Sequence, residues 1–118
     1  MTLEKRLISL LIPTIILESF EVQNIDDSDS LLVIELLEKQ ECISSFGSDL
    51  VLVSNGYMNP IELQHFPMNG KKCILKLIRR RWKEKNNPSS SYHNSYFFAQ
   101  KGTKVTPDFG DFLKETGL

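Results

Sequence analysis

The sequence predicts an α+β domain: an antiparallel sheet of about four to five strands, made of two hairpins and packed with helices from both ends of the chain. Three observations predict it. Asn69 and Gly70 lie between apolar runs at 61–66 and 73–82, the strongest short-range signal of a β-hairpin. Leu3, Leu7, Leu10 and Leu11 recur at the spacing of one helical stripe. Thr106, Pro107 and Asp108 supply an N-cap, a proline in the first turn and an acid beside it, which open a helix near the C-terminus.

The N-terminal stripe predicts a helix starting near Thr2. Pro13 interrupts it and, because proline suits a helical first turn, restarts a second short piece carrying Ile15, Ile16 and Leu17. From Phe20 the pattern alternates through Val22 and Ile25, passes a polar Asp-Ser run at 26–30, and returns through the apolar stretch 31–37. This reads as strand, turn and strand. Ser48 or Asp49 caps a short helix over 50–54, stopped by Asn55 and Gly56; Val51 and Val53 suit a strand equally, and the helix is the preferred reading. After the Asn69-Gly70 hairpin, a second hairpin is expected with its turn at 86–91 and an aromatic-rich return strand at 92–100. The closing helix carries Phe109, Phe112 and Leu113 and stops at Gly117.

The chain has 118 residues, 41% of them hydrophobic and 25% charged, which suits a single domain over 1–118 with a core that needs neither disulfides nor metal. Cys42 and Cys73 make no disulfide framework, and no small-residue cleavage site follows Met1, so a reducing, cytoplasmic compartment is expected. The apolar stretch 7–17 is broken by Ser9, Pro13 and Thr14 and falls short of the ~20 residues that cross a bilayer, so no membrane partner is expected. The glycines are too scattered for a dinucleotide fingerprint or a phosphate loop, and no cofactor is expected.

A net charge of −1 conceals an asymmetry. Residues 1–60 carry three basic and ten acidic side chains, a charge of −7, while residues 61–118 carry eleven basic and five acidic, a charge of +6. Between Lys71 and Lys104 ten Lys or Arg accompany the single acid Glu84, and a field of that strength attracts polyanions. As a strand, 71–85 places Cys73, Leu75, Leu77, Arg79 and Arg81 on one face and Ile74, Lys76, Ile78, Arg80 and Trp82 on the other. Its first half reads as core. Its second half is charged on both faces and is expected to extend into solvent as a twisted hairpin arm.

Two readings of that arm follow. In the first, Arg79, Arg80, Arg81, Lys83 and Lys85 bind phosphates and release counterions, while Trp82, Tyr92 or Tyr96 contacts sugar or bases. In the second, the arginines pair with the acidic first half, in particular Asp26, Asp27 and Asp29, as a solvated face or a dimer contact. Other chemistry finds little support. Cys42, Cys73, His65 and His93 are scattered singly, unlike the spacing of a zinc site. The Asn69-Gly70 register sets His65 opposite Ile74, which puts His65 and Cys73 on opposite faces and argues against a nucleophile and base pair. Asp26, Asp27 and Asp29 fall in one turn and read as a solvated loop rather than a converging nuclease site.

The segment NGYMNPIELQHFPMNGKKCILKLIRRRWKEK, followed by YHNSYFFAQKGTKVTPDFGDFLKETG, resembles the N-terminal region of bacterial insertion-sequence transposases of the ISAon type. The resemblance spans essentially the whole chain. Its most specific element is Phe66, Pro67, Gly70, Lys71, Lys72, Arg79, Arg80, Arg81 and Trp82, supported by Lys101, Gly102, Thr103 and the Phe109, Phe112, Leu113 helix. The hairpin is more distantly similar to the N-terminal segment of ISL-type transposases, whose zinc-ligating cysteines are absent here. The resemblance implies a non-catalytic module that takes part in transposition by binding DNA at the element's ends or nearby, with the acidic-triad catalytic domain encoded elsewhere. The implied partners are DNA and the catalytic transposase subunit; the −7 and +6 split gives the alternative of a protein-interaction module that docks that subunit or forms a homodimer. Charge clustering and resemblance together give the DNA-binding candidates Lys71, Lys72, Lys76, Arg79, Arg80, Arg81, Trp82, Lys83, Lys85, Lys101 and Lys104.

Overall fold

The computed structural model describes residues 1–100 and 103–116. Helices α1 (Leu3–Leu11) and α2 (Thr14–Leu17) precede strands β1 (Phe20–Asp27) and β2 (Leu31–Glu38), followed by a 3-10 helix at Gln40–Phe46. Strands β3 (Leu52–Tyr57), β4 (Ile61–Met68), β5 (Lys71–Ile78), β6 (Arg80–Glu84) and β7 (Asn87–Tyr92) follow, and α3 (Pro107–Glu115) closes the chain. The α+β class holds, with helices from both ends and a four-stranded sheet in the order β1-β2-β5-β4. A second sheet, β3-β6-β7, carries the remaining strands.

Within the first sheet both hairpins, β1-β2 and β4-β5, are antiparallel, but the central pair β2-β5 runs parallel in unbroken register from Leu31↔Lys72 to Leu37↔Ile78. The strand that ends at Ile78 resumes at Arg80 in the second sheet, so residues 71–84 thread both sheets. Arg79 marks the corner. Cys73, Leu75 and Leu77 are the buried set before it, and the even-numbered Trp82 is buried after it, so the inward phase shifts by one residue there.

The core is the inner face of the first sheet. Ile34, Leu36, Leu63, Cys73, Leu75 and Leu77 pack with Ile12, Ile16 and Phe20. On α1 the leucine stripe does not face this core. Leu3, Leu7 and Leu10 are 82%, 58% and 81% exposed, while Ile8, Ile12 and Ile16 make the contact instead. The cause is Pro13, which leaves Ile12 extended (φ −110°, ψ 137°) and redirects the chain so that the isoleucine face turns inward.

Two further expectations are corrected. Residues 52–57 are strand β3 and not a helix, because Val53 and Ser54 find cross-strand partners in Lys83 and Trp82, and tertiary pairing overrides a cap-based reading. The return strand is the polar Asn87–Tyr92. It follows a turn at Lys85 and Asn86, and the aromatics beyond it leave the sheet to cover the core through Tyr96, Phe98 and Ala99. Gly117 lies outside the described residues. Asn69 and Gly70 do form the hairpin turn, with φ of 55° and 76° as a two-residue turn of that hand requires.

Candidate nucleic-acid interface

The basic residues of β5 divide by face. Lys71 points toward the acidic half and pairs with Asp27 at 2.5 Å, the one ion pair among the described residues. Lys72 is exposed and Lys76 half-buried on the outer face, where Lys76 lies between Glu35 of β2 and Glu62 of β4.

The three arginines are tied to the protein, and none is tied to Asp26, Asp27 or Asp29. Glu38, fully buried at the end of β2, accepts hydrogen bonds from the Arg80 backbone N–H at 2.8 Å, from Asn94 Nδ2 at 3.0 Å and from the Tyr96 hydroxyl. Arg80 Nε donates to the Glu38 carbonyl at 2.7 Å. Burial, followed by the bond to Glu38, pushes the Tyr96 phenol far above its ordinary value, so it stays a donor. Arg79 donates a long 3.5 Å bond to the Asn94 carbonyl and keeps a buried Nε with no partner among the described residues. Arg81 Nε donates to the Asn55 carbonyl of β3 at 2.8 Å.

The 71–85 segment is therefore not a free two-stranded arm. β6 is the centre of a three-stranded sheet, flanked by β3 and β7. Trp82, 3% exposed, is packed edge-on by Phe46, which also meets Tyr92, and offers no face to a base. What remains is a one-sided pair, Arg81 and Lys83, on the face of β6 opposite Trp82, with Lys85 following in the turn; none of the three has a carboxylate within 4.0 Å among the described residues. Lys104 is exposed beside β4, and Lys101 lies outside the described residues.

Glu38, Asn94 and Tyr96 were not singled out by the sequence. The available signal was phase: Glu38 falls in step with Ile34 and Leu36 on the inward side of β2, where an acid must find donors.

His65 and Cys73 are opposite each other in register and are buried together, contrary to the expected His65↔Ile74 pairing. Pro67 has no N–H for the ladder, and the irregularity between His65 and Met68 moves the register by one. This proximity creates no nucleophile. Cys73 is 0% exposed, with its thiol pushed up by burial. His65 is occupied on both nitrogens, at 3.0 Å from the Leu11 carbonyl and 2.7 Å from Thr106 Oγ1. A carbonyl only accepts, so Nε2–H donates to Leu11 and Nδ1 accepts from the Thr106 hydroxyl. This clasp joins the end of α1, strand β4 and the residue that starts α3.

Among the described residues no three His, Cys, Asp or Glu side chains gather as a metal site, and no helix is long and apolar enough to cross a membrane. In comparisons with known proteins, no family model, no curated protein and no solved structure matches the chain.

Proposed function

We propose that this chain is a non-catalytic, DNA-binding module of an insertion-sequence transposase, acting in the cytoplasm and contacting the duplex through the basic face of β6. The observation that carries the reading is the pair Arg81 and Lys83 on the open face of β6, continued by Lys85 in the turn, which no carboxylate of the described residues pairs. The connection to transposition rests on the resemblance of 55–85 and 92–117. Arg80 and Trp82 act as supports: Arg80 ties β6 to Glu38, and Trp82 anchors its underside. DNA contact then falls to the opposite face.

The test is binding of the purified chain to a duplex from the element's terminal repeat and to a scrambled duplex, across a salt series. Binding with a steep salt slope supports the module, and a preference for the terminal duplex supports recognition of the ends. Absence of binding at low salt overturns the reading and directs these cations to an acidic protein surface such as the catalytic subunit.

A further inference from the structure

The outer face of the four-stranded sheet is built to be covered. β2 reads LLVIELLE and β5 reads KKCILKLI, near-continuous apolar runs of the kind that parallel strands carry when both faces are buried. Only one face enters the core. Leu31, Val33, Leu37, Ile74 and Ile78 lie on the other face, half-buried and outside the core cluster. The molecule as a whole is correspondingly open. Its radius of gyration is 16.3 Å and its accessible surface 8016 Å², against about 13.5 Å and about 6,600 Å² for a compact chain of this size.

The register specifies what fits there. Val33 is level with Ile74, Glu35 with Lys76, and Leu37 with Ile78, so two apolar rows flank a row holding one acid and one base side by side. We propose that a second copy of this chain covers the face, related by a two-fold axis that runs along the strands between β2 and β5. That operation lays β2 of one protomer over β5 of the other. Glu35 then meets Lys76 of the partner subunit twice, and Val33 and Leu37 meet Ile74 and Ile78 of the partner subunit. The flanking strands also match: Glu62 falls over the row of Asn24, and Gln64 over that of Asp26, so no acid is set on an acid. An axis across the strands at the level of this row would set Glu35 on its own copy, which charge disfavours. Strand spacing and rise give the face on the order of 500 Å² per protomer. This lies below the ~800 Å² of a standard interface, so association is expected in the micromolar range.

The proposal is independent of the DNA reading and is tested without DNA, by sedimentation of the full chain. Lys76→Glu and Glu35→Lys are each expected to weaken dimerisation by about a hundredfold, because each sets like charges together twice. An equimolar mixture of the two variants is expected to regain it as a heterodimer, because each chain then supplies the charge the other lacks. Repair within one chain cannot produce that result. Circular dichroism confirms folding, and Lys76→Gln, which removes only the charge, serves if Lys76→Glu fails to fold and is expected to weaken the dimer about tenfold. Three results each overturn the proposal: a wild-type chain that stays monomeric at about 1 mM, single variants that dimerise as the wild type does, or a mixture that remains monomeric. Loss of the dimer on Leu7→Glu in α1, with Lys76→Glu unaffected, would also overturn it and assign the contact to the exposed leucines.

Discussion

At the scale of single residues, Glu38 and His65 hold the fold's polar interior. Glu38→Ala leaves the Arg80 N–H, Asn94 Nδ2 and the Tyr96 hydroxyl without their acceptor in a buried site, and a stability loss of about 3 kcal/mol is expected in urea unfolding. His65 carries a pH dependence. Burial holds its ring below the ordinary 6.5, against the opposing effects of the Leu11 hydrogen bond and the Asp108 charge, so the folded state favours the neutral ring. As pH falls through 6.5 the unfolded chain takes up the proton first. The stability present above 6.5 is then lost, at up to ~1.4 kcal/mol per unit of pH, until the folded-state ring protonates as well. Thermal melts between pH 7.5 and 5 should show a fall that His65→Gln flattens, since an amide can donate to Leu11 and accept from Thr106 without titrating.

At the scale of elements, the hairpins β1-β2 and β4-β5 and the start of α3 were legible in the sequence, and the long-range pairings were not. Asn69 and Gly70 fixed one hairpin because positive φ leaves few residue choices. Gly70→Ala should cost about 1 kcal/mol in unfolding while leaving nucleic-acid affinity unchanged, as the whole of strand β5 separates Gly70 from β6. Thr106 and Pro107 likewise marked the start of α3. Yet Thr106 makes no side-chain cap, because its hydroxyl is committed to His65, a long-range contact no local pattern encodes. The same limit hid the parallel β2-β5 pair and the strand identity of 52–57, which depend on partners distant in the chain, while the register of His65 turned on the irregularity between His65 and Met68. On α1, two apolar faces compete, and the leucine spacing alone could not show that Pro13 would turn the isoleucines inward.

At the scale of the whole molecule, the candidate site was legible as charge and hidden as geometry. The excess of Lys and Arg over 71–104 marks the stretch that holds the candidate site. Which of those side chains face solvent depended on the corner at Arg79, where the inward phase shifts and sends Trp82 into an aromatic cluster. Sheet geometry then converts a run charged on both faces into a supporting face and an open one. The most direct test is the salt slope of duplex binding, compared between the wild type, the triple variant Arg81→Gln, Lys83→Gln, Lys85→Gln, and Lys71→Gln. The triple variant is expected to reduce the slope by roughly 0.9 for each phosphate it no longer neutralises, while Lys71→Gln, whose ammonium already serves Asp27, leaves it unchanged. A triple variant that keeps the wild-type slope would remove β6 from the interface and contradict the account.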